Sequence, residues 1–412
     1  MERDKQTARL GRALLVYVLL AILLITWAPF RFSVPARVEL TWDFTPTDLL
    51  LNVCLFIPVG FLFYASLRRR RSAAGRRRHG RSAVLFGVLF SLLIEAGQIL
   101  VPERYTSLWD VLTNGLGAYL GALLYLRVST GLSRFLPGHP TLELPLMNLV
   151  YLSTIALWLN GLAAVETPWR TALIPPLSVV GVNVLAAVWR YRLAAALTRH
   201  QVILGTTGWF VVATAPSLLS LPFLVVAAIV SVSGLMWYLT GRRSDLGGDE
   251  RRFELPTLKR AAIPFGLYVV LLALWPLPAS FGALEVSFPL SLTTPEPSIP
   301  QIFGFLEHLV AFTILGFMIA EWRGRRKERA ATAIVWVILG STLASLGFQL
   351  VKGVHIGLHA SIAEGLATTL AAMAGAALYR RQLAALRSWL SREEASSDEM
   401  ALEDLLDRFD EG

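Results

Sequence analysis

The sequence predicts an all-α, polytopic membrane protein of about 12 transmembrane helices, and three observations carry that expectation. Of 412 residues, 55% are hydrophobic and only 16% are charged, whereas a soluble chain has about 25% charged residues. Apolar runs of roughly 16–20 residues recur along the chain, the length a helix needs to cross a ~30 Å hydrocarbon core. Lys and Arg gather in every second connection between these runs, as they do in the cytoplasmic loops of multi-pass proteins.

Residues 1–12 hold four basic side chains and read as a cytoplasmic N-terminus ahead of a first span at 13–30. Val34–Ala36 loosely resembles a signal-peptidase site, but the first helix has a counterpart later in the chain, so it reads as a retained span. Spans at 48–67, 82–101 and 106–126 complete a first group. A second group covers 147–165, 172–189, 202–217 and 221–240; its last two members meet around Pro216 and Pro222, and one broken helix is the alternative there. A third group covers 261–278, 303–321, 331–351 and 356–379.

With the N-terminus in the cytoplasm, the cytoplasmic segments hold 33 of the 38 Lys and Arg residues. Only Arg31, Arg37, Arg104, Arg170 and Lys352 fall elsewhere. Dropping one span of the tight pair would put Arg323–Arg329 outside, so the charge bias favours twelve spans with both termini cytoplasmic. The densest basic block, Arg68–Arg81, reads as a topology anchor that touches anionic membrane lipid. It has no aromatic or shape-reading companions, so no nucleic acid is expected as a partner. The acidic tail at 382–412 carries Leu402, Leu405, Leu406 and Phe409 at helical spacing. It is read as a solvated tail, with docking of a protein partner as the alternative. Cys54 is the single cysteine, so neither an internal disulfide nor a cysteine-based metal site can form.

The chain repeats itself. Leu55–Ala65 aligns with Ala311–Glu321, each ahead of a basic loop, and Glu95–Val101 aligns with Leu346–Lys352, which pairs Gln98 with Gln349. Asn114–Tyr125 aligns with Glu364–Tyr379 across a small insertion. The expected organisation is therefore a four-helix bundle at 13–127, a four-helix insert at 147–240 and a degenerate copy of the first bundle at 261–381. An even number of spans separates the copies, so this is a parallel repeat.

Glu95, Gln98, Arg104, Asp110 and Asn114 stand out because they interrupt apolar sequence. Glu95 and Gln98 lie near the end of the third span, Arg104 in the turn, and Asp110 and Asn114 one turn apart on the fourth. The five are expected to converge just beneath the outer surface. A carboxylate at mid-bilayer costs ~2.5–3.5 kcal/mol, so the two acids need a partner or a wet vestibule. Two readings remain open: a polar clasp that joins the hairpin, or an outward-facing pocket for a ligand head group. Nothing resembles a nucleophile motif or a metal ladder, and no catalytic residue or cofactor is assigned. In the second copy, Glu307, His308, Gln349, His355, His359 and Glu364 form a candidate secondary pocket. His355 and His359 have the i, i+4 spacing of a zinc-holding helix face, but the pair alone is a weak signal and no metal is assigned.

Asn52–Phe61 followed by Glu95, Gln98, Arg104, Asp110, Asn114, Gly117 and Gly121 resembles the VanZ-like family. The resemblance implies a small multi-helix membrane domain of the bacterial inner membrane, in a family named after a protein associated with low-level teicoplanin resistance. It covers 13–127 in full and, at 261–381, only the helical frame and Gln349. The leading expectation is a cell-envelope protein that binds an envelope precursor, glycolipid or glycopeptide-like ligand, with Arg104 meeting an anionic group. The runners-up are a twelve-span carrier or flippase for a lipid-linked or small polar substrate, and a membrane-embedded transferase.

Overall fold

The computed structural model describes, apart from short breaks, residues 2–135, 254–288, 299–324, 330–355 and 359–384, with isolated positions between 182 and 235. The expected insert at 147–240 lies almost wholly outside the described residues, as do Arg104 and the tail from 385 onward. The chain divides into two compact units, Met1–Leu144 with Leu292–Phe303 and Ala377–Gly412, and Pro145–Ser291 with Gly304–Ala376.

The first unit runs α1 (Glu2–Trp27), β1 (Leu40–Thr41), α2 (Pro46–Ser66), α3 (Ala73–Gln98), β2 (Thr106–Ser107) and α4 (Leu108–Phe135). Long apolar segments become helices because only helices and closed barrels satisfy every backbone group in lipid. Pro46 opens α2, where its missing N–H costs nothing. Leu15 and Ile22 of α1, Phe56, Val59 and Leu62 of α2, and Phe90 and Ile94 of α3 form one buried cluster. Phe63 and Phe86 stack across α2 and α3 with centroids 4.4 Å apart.

Helix α4 packs most extensively on α2. Three glycines permit this: a Cβ at Gly60 would collide with the Ala118 carbonyl, at Gly117 with that of Val53, and at Gly121 with that of Ile57. Such small residues let helix backbones touch, which is how helices associate in lipid. The close crossing draws the start of α4 against the start of α2. There β1 and β2 pair in parallel, Leu40 with Thr106 and Thr41 with Ser107.

The second unit contains α5 (Glu254–Leu274), β3 (Val286–Ser287), α6 (Ile299–Gly324) from Gly304 onward, α7 (Ala330–Val354), β4 (Ala360–Ser361) and α8 (Ile362–Ala384) as far as Ala376. A Cβ at Gly316 of α6 would strike the Ala372 carbonyl of α8, and one at Gly375 the Thr313 carbonyl. Strands β3 and β4 pair in parallel, Val286 with Ala360 and Ser287 with Ser361.

Among the described residues, six helices are long and apolar enough to cross a bilayer: Ala8–Trp27, Asp48–Ser66, His79–Gln98, Gly304–Arg323, Ile334–Val354 and Ile362–Ala384. They match six of the expected spans within a few residues. The last starts at 362 rather than 356 because Ser361 caps it, its Oγ accepting the Glu364 N–H at 3.1 Å. Helix α4 is not among the six, since Asp110, Thr113, Asn114, Gly115, Gly117 and Gly121 dilute its apolarity. In α5 the apolar stretch is only Ala261–Ala273. Leu112, Leu116, Leu120 and Leu124 line an exposed stripe on α4, and Leu339, Leu343, Leu346 and Leu350 line another on α7. Apolar stripes of this length are solvated by lipid rather than water. The chain is a mostly helical, multi-pass membrane protein.

Candidate functional site

The α3–α4 hairpin brings the first polar group together. Each of three helices carries a polar pair one turn apart: Asp48 and Asn52 on α2, Ser91 and Glu95 on α3, Asp110 and Asn114 on α4. Such a pair shares a helix face.

Glu95 is 5% exposed, and its Oε2 accepts the backbone N–H of Ser107 at 3.1 Å. Ser107 immediately precedes α4, so this bond satisfies one of the donors a helix start leaves free. Asp110 lies near enough to both Glu95 and Asp48 for their charges to repel, and Asn52 hydrogen-bonds its carboxyl. One turn deeper, Asn114 Nδ2 donates to Ser91 Oγ at 2.8 Å. Among the described residues, no cationic side chain pairs with Glu95 or Asp110. Gln98 reaches α1, its Nε2 lying 3.5 Å from the Thr26 carbonyl. Nearby, Trp27 Nε1 donates to the Ile94 carbonyl at 3.2 Å and its ring fills the space beside Gly97.

Several buried acceptors remain over. Asn114 Oδ1, Ser107 Oγ and Gln98 Oε1 have no hydrogen-bond partner among the described residues. Asn114 is 4% exposed and Ser107 7%. Buried polar atoms are nearly always paired, so three of them around two carboxylates mark this hairpin as unusual.

The structure thus groups Glu95, Asp110 and Asn114 and sets Gln98 beside them against α1, while Arg104 lies outside the described residues. The sequence reading missed Asp48, Asn52, Ser91 and Ser107. The i, i+4 polar spacing on α2 and α3 could have found the first three. Ser107, three residues before Asp110, is the kind of residue that starts a helix.

The second unit makes a similar set of bonds and leaves Gln349 Nε2 without a partner among the described residues. Ser361 N–H donates to Gln349 Oε1 at 2.9 Å, across the same twelve-residue separation as Ser107 and Glu95. Ser345 Oγ and Thr368 Oγ1 are 2.8 Å apart, with the same twenty-three-residue separation as Ser91 and Asn114. In this arrangement Gln349 occupies the role of Glu95, not that of Gln98 with which sequence alignment pairs it. Glu364, 1% exposed, takes the Lys352 ammonium on Oε2 at 2.8 Å, and its Oε1 lies 2.7 Å from His308 Nδ1. Lys352 is not among the expected site residues; a lysine at the end of a span ordinarily snorkels to water.

The other members of the expected secondary pocket are placed differently. Glu307 pairs with the Tyr268 hydroxyl at 2.5 Å. His355 and His359 do not share a helix face: α7 ends at Val354, and both fall in the connection to β4. His355 is buried and bridges the backbone of Phe281, whereas His359 is exposed and pairs with Glu285 at 2.7 Å. The helix stops there because Gly353 packs closely on Leu284 and Ala360, under the β3–β4 pair.

Residues 6–129 match the family model described as VanZ/LLP1, so the N-terminal part of the chain carries a VanZ-like domain. No curated protein and no solved structure matches the chain.

Proposed function

We propose that the VanZ-like domain at residues 6–129 is the ligand-binding part of a bacterial cell-envelope protein, and that its polar hairpin receives the head group of an envelope precursor, glycolipid or glycopeptide-like molecule. The observation that carries this reading is the surplus of buried acceptors. A purely structural clasp comes closer to satisfying its own atoms: the Ser345–Thr368 pair is closed, and the Gln349–Ser361 pair leaves only Gln349 Nε2 over. The first hairpin instead leaves Asn114 Oδ1, Ser107 Oγ and Gln98 Oε1 over, beside two mutually repelling carboxylates. Twelve spans, both termini in the cytoplasm of the inner membrane, and an outward-facing pocket complete the proposal. The charge bias of 33 of 38 basic residues supports them. Membrane lipids surround the domain, and the acidic tail at 382–412 is the surface for a protein partner.

The test is a charge swap. Asp110→Asn, Arg104→Asp and the double variant Arg104→Asp with Asp110→Arg are expressed and compared for folding and for teicoplanin susceptibility of the host. A ligand pocket predicts folded protein and lost phenotype in the single and the swapped variants, because a ligand meets a missing or reversed charge in each. Recovery of both stability and phenotype in the swap would mean that Arg104 and Asp110 serve only each other, and would refute the pocket.

A further inference from the structure

We propose that the N-terminal hairpin binds an ammonium group, seated where the second unit holds its own Lys352 Nζ. The inference rests on the ligand-pocket reading above and names the chemistry that the pocket selects.

The two units answer each other position by position. Ser91 and Ser345, Glu95 and Gln349, Ser107 and Ser361, Asp110 and Glu364, and Asn114 and Thr368 are each 254 residues apart. These pairs make corresponding bonds: Ser107 to Glu95 and Ser361 to Gln349, Asn114 to Ser91 and Thr368 to Ser345. The glycine contacts correspond too, Gly60 on Ala118 with Gly316 on Ala372, and Gly121 on Ile57 with Gly375 on Thr313. So do the strand pairs, Thr41 with Ser107 and Ser287 with Ser361. Asn52 on Asp110 corresponds to His308 on Glu364. No insertion is needed between α3–α4 and α7–α8.

In this register the position of Lys352 is taken by Gln98. At the two corresponding positions the second unit holds one carboxylate, Glu364, and supplies a lysine for it; Gln349 is neutral. The first holds carboxylates at both positions, Glu95 and Asp110, has Asp48 nearby, and carries a neutral amide at the lysine's position. The charge that one unit builds in, the other takes from a ligand. The leftover atoms agree in kind. Asn114 Oδ1, Ser107 Oγ and Gln98 Oε1 can all accept, as can both carboxylates, and an ammonium is three donors with no acceptor. Of these three leftover atoms only Ser107 Oγ can also donate, so among the described residues the set suits a donor better than an anion or a carbonyl.

An ammonium can come from a lipid head group or from a soluble amine, and the experiment separates them. Full-length protein is placed in phosphatidylglycerol nanodiscs, and its thermal midpoint is followed with phosphatidylethanolamine in the bilayer, with N-acetylated phosphatidylethanolamine, with soluble ethanolamine, and with calcium chloride. The expected result is a midpoint raised by phosphatidylethanolamine or ethanolamine and unmoved by the acetylated lipid. Gln98→Lys should raise the midpoint without any amine and abolish the response, and Asp110→Asn should also abolish it. A response to the acetylated lipid or to calcium that depends on Asp110 would leave the pocket standing and overturn the ammonium. An Arg104→Gln variant rescued by Gln98→Lys would show that the chain supplies its own cation, and would overturn it too. No response to any probe, with an unchanged phenotype in Asp110→Asn, would remove both readings. If Gln98→Lys fails to fold, Asp110→Asn decides: an undiminished amine response there refutes the proposal.

Discussion

Replacing Lys352 with Met removes the ammonium from a carboxylate that is 1% exposed and leaves the shape of the α7–α8 packing nearly unchanged. Breaking a buried pair by deleting one partner costs about 3–5 kcal/mol, because the remaining charge stays buried. His308 stays 2.7 Å from the other carboxylate oxygen and can accept part of the load, so the expected loss is about 3 kcal/mol, at the low end of that range. Adding Glu364→Gln removes the stranded charge. The double variant should then lose only about 1 kcal/mol, the net worth of an ordinary hydrogen bond. The double variant should therefore be about 2 kcal/mol more stable than Lys352→Met alone. Denaturation in mixed micelles with increasing dodecyl sulfate, followed by tryptophan fluorescence, measures both variants against wild type. Lys352→Met within about 0.5 kcal/mol of wild type, or a double variant less stable than the single one, would refute the view that Lys352 holds Glu364 as an ion; the typical effect of a surface change is that small.

Two further outcomes follow from the packing and the charge pattern. Single cysteines in a Cys54→Ser background should be labelled from outside by an impermeant maleimide between Phe281 and Pro300, a segment without Lys or Arg, and not between Arg68 and Arg81; the opposite pattern would invert the topology and the pocket with it. Gly60→Val and Gly316→Val push a side chain into the Ala118 and Ala372 carbonyls and should each cost roughly 1–3 kcal/mol or more, whereas Gly208→Ala, which meets nothing within 4 Å, should leave the denaturation midpoint in place.

The helical, membrane-crossing character was legible because it rests on run length and composition, which need no partner. The same physics explains where the reading stopped. Asp110, Asn114, Gly117 and Gly121 make α4 look less apolar than its neighbours, yet Asp110, Gly117 and Gly121 meet α2 and Asn114 meets α3, so they are what seats the helix. His355 and His359 kept helical spacing in the sequence but not in the fold, since the chain leaves α7 at Val354 to let β4 pair with β3. Periodicity reports a local angle. It cannot report a break imposed by a strand from a distant connection.

The candidate site divides in the same way. Which side chains are costly in lipid is a property of each residue, so Glu95, Asp110, Asn114, His308 and Glu364 could be named from the sequence. Who meets whom is a property of the crossing of α2 on α4 and of α6 on α8. That crossing put Asn52 on Asp110, Ser107 on Glu95 and Ser361 on Gln349. It also turned Lys352 from a span-end lysine into the buried partner of Glu364. A hydrogen bond needs two groups within about 3 Å, and in a helical membrane protein that distance is set by backbone contact between helices far apart in sequence.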